Sequence, residues 1–177
     1  MTPNKHDLSI SMERANFVVF FIAAPLVILQ FILFFAIRTG RQIRGVENLA
    51  ALVIAIAASI VVHELIHGIA WTIAGRKPFS AVKFGFQWKT ITPYAHLKEP
   101  IEINAYRIGA FMPGLILGIL PYLVSLFTGN GYLFWFGLLN TAAASGDFLI
   151  LWLIRKVKSG RLVEDHPTHA GCYVFEP

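Results

Sequence analysis

Val61-Val62-His63-Glu64-Leu65-Ile66-His67-Gly68 reads H-E-x-x-H in the middle of a long apolar run. Two histidines four residues apart fall on one face of a helix, one turn above each other. That spacing sets two imidazoles where a single Zn²⁺ can take both, with Glu64 beside them in the place of a general base. The apolar sequence on either side is long enough for a bilayer-spanning helix. A charged side chain near the centre of such a helix costs ~2.5–3.5 kcal/mol on insertion scales, so ionisable residues there are functional candidates by default. The competing reading is a pair of buried histidines satisfied by neighbouring helices.

Working outward, the 177-residue chain is 56% hydrophobic and only 14% charged, which a soluble domain of this length rarely is. Long apolar runs recur at residues 16–37, 49–74, 108–128 and 132–154, each about the length of a membrane span. The expected fold is therefore an all-α polytopic membrane protein of about four transmembrane helices in one domain. Residues 76–106 form a polar segment between the second and third spans, and 155–177 form a tail. Within the polar segment, Ala81 to Leu97 has β-type residues and partial alternation, which predicts two short strands at the membrane surface. Such a segment is either a membrane-associated loop or an exposed strand edge that pairs with an extended substrate. Pro25 predicts a kink in the first span, and Pro113, Gly114, Gly118 and Pro121 predict a kinked or broken third span.

The single cysteine, Cys172, excludes an internal disulfide and a Cys-rich zinc cage. The net charge of +5 is no nucleic-acid footprint, because the basic residues flank apolar spans and no aromatic–basic binding motif is present. The polar stretch Met1 to Ala15 precedes a full-length span, so no removable signal peptide is expected.

Four spans place both termini and the 76–106 segment on one side. Of the 15 Lys and Arg, only Arg38, Arg41 and Arg44 fall on the other. The positive-inside bias then predicts a cell-membrane protein with both termini in the cytoplasm. His67 and Asp147 each lie seven residues before the cytoplasmic end of their span, which is ~10 Å below that surface. The chain thus offers His63, His67 and Asp147 at matched depth from two helices. A catalytic zinc wants three protein ligands and an open position, and Asp147 completes that count. Alternatively Asp147 hydrogen-bonds between helices or pairs with Arg107.

Other polar residues are weaker candidates. His96 is a ligand, a substrate-positioning group or an ordinary loop histidine. Asn140 is a donor to a developing oxyanion or interhelical glue, and Ser59 is a hydrogen-bond partner of the ligands or a small packing residue. His166 and His169 read as solvated or turn-forming.

Four stretches together carry a likeness: His63-Glu64-Leu65-Ile66-His67, Tyr94-Ala95-His96-Leu97-Lys98-Glu99-Pro100-Ile101, Ser145-Gly146-Asp147, and Asp165-His166-Pro167 with Gly171-Cys172. They resemble a bacterial family of small membrane proteins described as zincin peptidases, over about residues 48 to 175. The site also looks like that of the site-2 proteases, intramembrane zinc enzymes that cut transmembrane segments. What this implies is His63, His67 and Asp147 as ligands to Zn²⁺, with Glu64 as base. The pattern departs in two respects: site-2 proteases usually place their aspartate before a glycine, whereas Gly146 precedes Asp147 here. Nor is there room for an inserted PDZ domain. The expected activity is zinc-dependent endoproteolysis of membrane-embedded or membrane-adjacent proteins. The rival is a non-catalytic, zinc-stabilised membrane scaffold or adaptor. A metal transporter fits less well, since only one cluster of ligating residues is visible.

Overall fold

The computed structural model describes residues 5–88 and 92–176. The first helix, α1 (Met12–Arg38), starts at Ser11, whose hydroxyl accepts the Arg14 N–H, and runs continuously through Pro25. The second, α2 (Leu49–Gly75), is capped by the Asn48 side chain, which accepts the Ala51 N–H at 3.0 Å. It ends where Arg76 turns left-handed at φ 50°. These two helices bury little of their surface inside the molecule, as lipid-facing helices do.

The third span combines α3 (Ile103–Pro113), a π-helical turn (Gly114–Ile119) and α4 (Leu120–Thr128). The expected break at Pro113 and Pro121 is not there. The π turn absorbs the prolines instead, and the helix crosses as one element of 26 residues. Gly118 lies in that turn against Thr141, where a Cβ would come within 2.9 Å of the Thr141 backbone nitrogen.

The bend falls in the fourth span. There α5 (Gly131–Ala143) and α6 (Ser145–Leu153) meet at Ala144 with a 40° change of direction. No proline explains it. Asn140, Thr141 and Ser145 each hydrogen-bond the carbonyl four residues back, and such side-chain back-bonding bends helices. Three helices are long and apolar enough to cross a membrane, or four if the bent pair is one span. The fold is a mostly helical polytopic membrane protein, as the apolar runs predicted.

The segment between α2 and α3 forms an antiparallel hairpin, β2 (Val82–Gln87) with β3 (Thr92–Leu97), in the register Val82↔Leu97 to Gln87↔Thr92. Residues 89–91 of the expected hairpin lie outside the described residues.

The sequence reading contains no counterpart to the second sheet. Residues 155–177, read as a tail, contain β5 (Leu162–Asp165) and β6 (Ala170–Phe175). Together with β1 (Lys5–Ile10) and β4 (Ile101–Glu102) they make an antiparallel sheet in the order β1-β6-β5-β4. β1 pairs along its whole length with β6, from Lys5↔Phe175 to Ile10↔Ala170. Gly171, at φ 129°, leaves room for the Leu8 carbonyl in that pairing.

Two cores hold this together. Among the helices, Phe34 stacks on Phe134 at 4.1 Å, and Tyr122 donates from its hydroxyl to the Gln30 carbonyl at 2.8 Å. The larger core joins helix ends to the sheet through Trp71, Leu97, Ile101, Tyr106, Val163 and Cys172. That second core reaches the histidines of α2 through Trp71, which stacks on His67.

Candidate metal centre

His63 and His67 stand one turn apart on α2 with ring centroids 4.9 Å apart. Asp147 enters from the first turn of α6, just past the bend at Ala144. Its Oδ2 lies 3.1 Å from His63 Nε2, and its Oδ1 lies 3.2 Å from His67 Nε2. One ligand atom from each of the three residues falls within 4.8 Å of the other two. The three residues at matched depth along their spans do meet.

The surroundings of His67 fix how its ring is used. Its Nδ1 is 2.9 Å from the Gly109 carbonyl of α3. A carbonyl only accepts, so Nδ1 carries the proton and Nε2 of the neutral ring presents a lone pair. The ring stacks on Trp71 at 5.2 Å, and Trp71 stacks on Tyr106 and donates from its indole N–H to the Tyr106 carbonyl. Gly109 has to be glycine for this packing, because a Cβ there would collide with the Trp71 indole. A metal-ligating histidine whose second nitrogen is held by a carbonyl is the usual supporting arrangement.

The donor set fits a zinc ion. A lone pair on His67 Nε2 facing a carboxylate oxygen at 3.2 Å is repulsive unless a proton or cation lies between. Asp147 Oδ2 is buried with no aligned hydrogen-bond donor, although His63 Nε2 is close. Buried carboxylate oxygens are seldom left so, and a cation satisfies all three residues at once. Two imidazoles and one carboxylate are also a ligand count and type that catalytic zinc sites use.

Glu64 lines the same cavity of about 720 Å³ as His63, His67 and Asp147. The backbone N–H of Ala95 in β3 faces its carboxylate. β3 therefore turns toward α2 the edge that is not paired with β2. Two residues on, the Leu97 N–H donates to Asp165 Oδ2 at 2.7 Å, and Tyr106 Oη donates to Asp165 Oδ1 at 2.6 Å. Burial pushes the Asp165 carboxyl above the usual carboxylate range, against the pull of these two donors. His96 Nδ1 lies 3.7 Å from Asp165 Oδ2, and both residues line the cavity.

Asp165 went unassigned in the sequence reading. The signal was present in Asp165-His166-Pro167, but nothing local shows that a residue of the last strands reaches α3 and β3. The neighbouring histidines are turn-forming, as one reading had them: His166 Nδ1 accepts the N–H groups of Thr168 and His169. Ser59 and Asn140 lie apart from the cavity, with Ser59 Oγ on the Ile56 carbonyl and Asn140 Nδ2 on the Phe136 carbonyl. Arg107 donates to the Ile154 and Val157 carbonyls and to Asn104, not to Asp147.

With this geometry in place, residues 56–162 match a protein family described as "putative zincin peptidase". The chain belongs to that family. No curated protein matches the chain, and no solved structure does. The family match covers α2 with both histidines and Glu64, the hairpin, α3 and α6 with Asp147, and it stops as β5 begins. The family description and the His63, His67, Asp147 group agree on a zinc peptidase.

Proposed function

We propose that this protein is a zinc-dependent endopeptidase that cuts membrane-embedded or membrane-adjacent substrates within the bilayer. The observation that carries the reading is the convergence of His63, His67 and Asp147 from two membrane helices, with Glu64 in the same cavity. His63, His67 and Asp147 would hold the ion, which when bound supplies Lewis acidity toward a peptide carbonyl and toward water.

The chain's own residues do the rest. Glu64 takes a proton from the attacking water and passes it to the departing amine nitrogen, so that water adds across the peptide bond. In the structure Glu64 faces the Ala95 N–H. An extended substrate laid along β3 offers its own carbonyl to that N–H and so releases Glu64 to act. His96, beside Asp165, is a substrate-positioning group on the wall built by β3. β1 and β6, near the two ends of the chain, pair with each other, which supports a common cytoplasmic location for both ends when combined with the Lys and Arg distribution.

The test is Glu64→Gln in the full chain reconstituted with zinc and a panel of membrane-protein substrates. Cleavage should vanish while bound zinc stays stoichiometric. Unchanged cleavage would remove Glu64 from the chemistry. A silent Glu64→Gln beside a His63→Ala that no longer folds would point to the scaffold instead.

A further inference from the structure

A second cavity, of about 440 Å³, opens at the end of α6, on the sheet side of the molecule. Its wall is apolar where α6 finishes, at Leu153 and Val157, and continues over Leu8 and Val174 of the sheet. Lys156, Lys158 and Arg161 line it as well.

Two ordinary explanations of those cations are already taken. At the end of α6 the Trp152 carbonyl accepts from Arg155, and just beyond it the Ile154 and Val157 carbonyls accept from the Arg107 guanidinium, so this helix end already has cations of its own. Nor do they lock into ion pairs. Lys5 pairs with Glu164 and Lys77 with Glu99, whereas no ion pair of Lys156, Lys158 or Arg161 occurs among the described residues. Glu176 and His6 complete the lining, leaving an excess of positive charge. The neighbouring Arg155 is engaged elsewhere, stacked 3.9 Å over Trp152.

The geometry points to a binding site for the headgroup of an anionic phospholipid, seated where α6 leaves the membrane. The cations meet the phosphate, and the apolar wall at Leu153 and Val157 takes the first part of an acyl chain. Basic pockets at membrane-helix ends recognise lipid headgroups in this manner. A soluble acidic peptide would match the charge but would leave the apolar wall without an occupant at the height of the bilayer. The inference is independent of the peptidase reading.

The test is native mass spectrometry of the full chain in detergent, titrated with dioctanoyl-phosphatidylglycerol or dioctanoyl-phosphatidylcholine. Phosphatidylglycerol should bind at least tenfold more tightly. Lys156→Ala, Lys158→Ala and Arg161→Ala combined should abolish that preference. The charge-matched set Lys77→Ala, Lys98→Ala and Arg155→Ala should keep it. Lys156→Arg with Lys158→Arg should bind like the parent, which separates loss of the site from loss of the fold. Equal binding of the two lipids, equal loss in both triple variants, displacement by inorganic phosphate at lipid-like concentrations, or tighter binding of a triglutamate peptide would each overturn the assignment.

Discussion

His67 presents Nε2 to Asp147 Oδ1 at 3.2 Å while its Nδ1 is tied to the Gly109 carbonyl at 2.9 Å. One ring therefore joins three helices: α2 carries it, α3 orients it and α6 supplies its carboxylate neighbour. Asp147→Ala removes the only carboxylate of the triad. Zinc measured by plasma mass spectrometry on the purified protein should fall from one equivalent to near zero. Retention of a full equivalent would mean that the ion sits elsewhere.

The orientation of His67 depends on how closely α3 approaches Trp71. Gly109→Ala forces the indole away and pulls the carbonyl from Nδ1. Loss of such a supporting contact typically weakens metal affinity by about 10–100-fold. Competition with a chromogenic chelator should show that loss, with the protein still folded by circular dichroism.

Tyr106 and Asp165 make a buried hydroxyl–carboxyl contact at 2.6 Å that links α3 to β5. Tyr106→Phe deletes the donor and leaves Asp165 Oδ1 short of a partner, at a cost of ~1–3 kcal/mol. The melting temperature should drop by several degrees, while zinc content stays as in the parent. A melting curve superimposable on the parent's would show that this contact carries no stability.

Glu102 is the N-cap of α3. Desolvation alone would raise its carboxyl, but the N–H groups of Gly160, Asn104 and Ala105 outweigh it and hold the carboxyl below its usual range. A carboxyl depressed in the folded state adds stability above the unfolded-state pKa of ~4.3 and loses it as pH falls through the folded value. Glu102→Gln should cost ~1 kcal/mol at neutral pH, as other cap losses do, and should flatten the acid limb of the stability profile. Thermal melts of both proteins between neutral pH and pH 3 read the difference directly.

What the sequence could disclose was what is local. His63, Glu64 and His67 follow from helical spacing alone, and Asp147 from counting residues to the end of its span. The 40° bend of the fourth span is not legible because prolines advertise themselves, whereas the back-bonding of Asn140, Thr141 and Ser145 depends on rotamers that a sequence does not show. The four-stranded sheet escaped for another reason. β1 and β6 are each six residues long and pair across nearly the whole chain, so neither carries a nearby partner to betray it. Asp165 went unassigned with them, since its role exists only once β5 stands beside β3.

Chain order gives that sheet a further meaning. β1 precedes every helix in the chain, yet its partner β6 follows all of them. Residues 165–171, which line the cavity beside His63, His67 and Asp147, therefore belong to the last part of the chain to be made. A chain cut short before β6 would keep His63, His67 and Asp147 but lack that part of the wall around them.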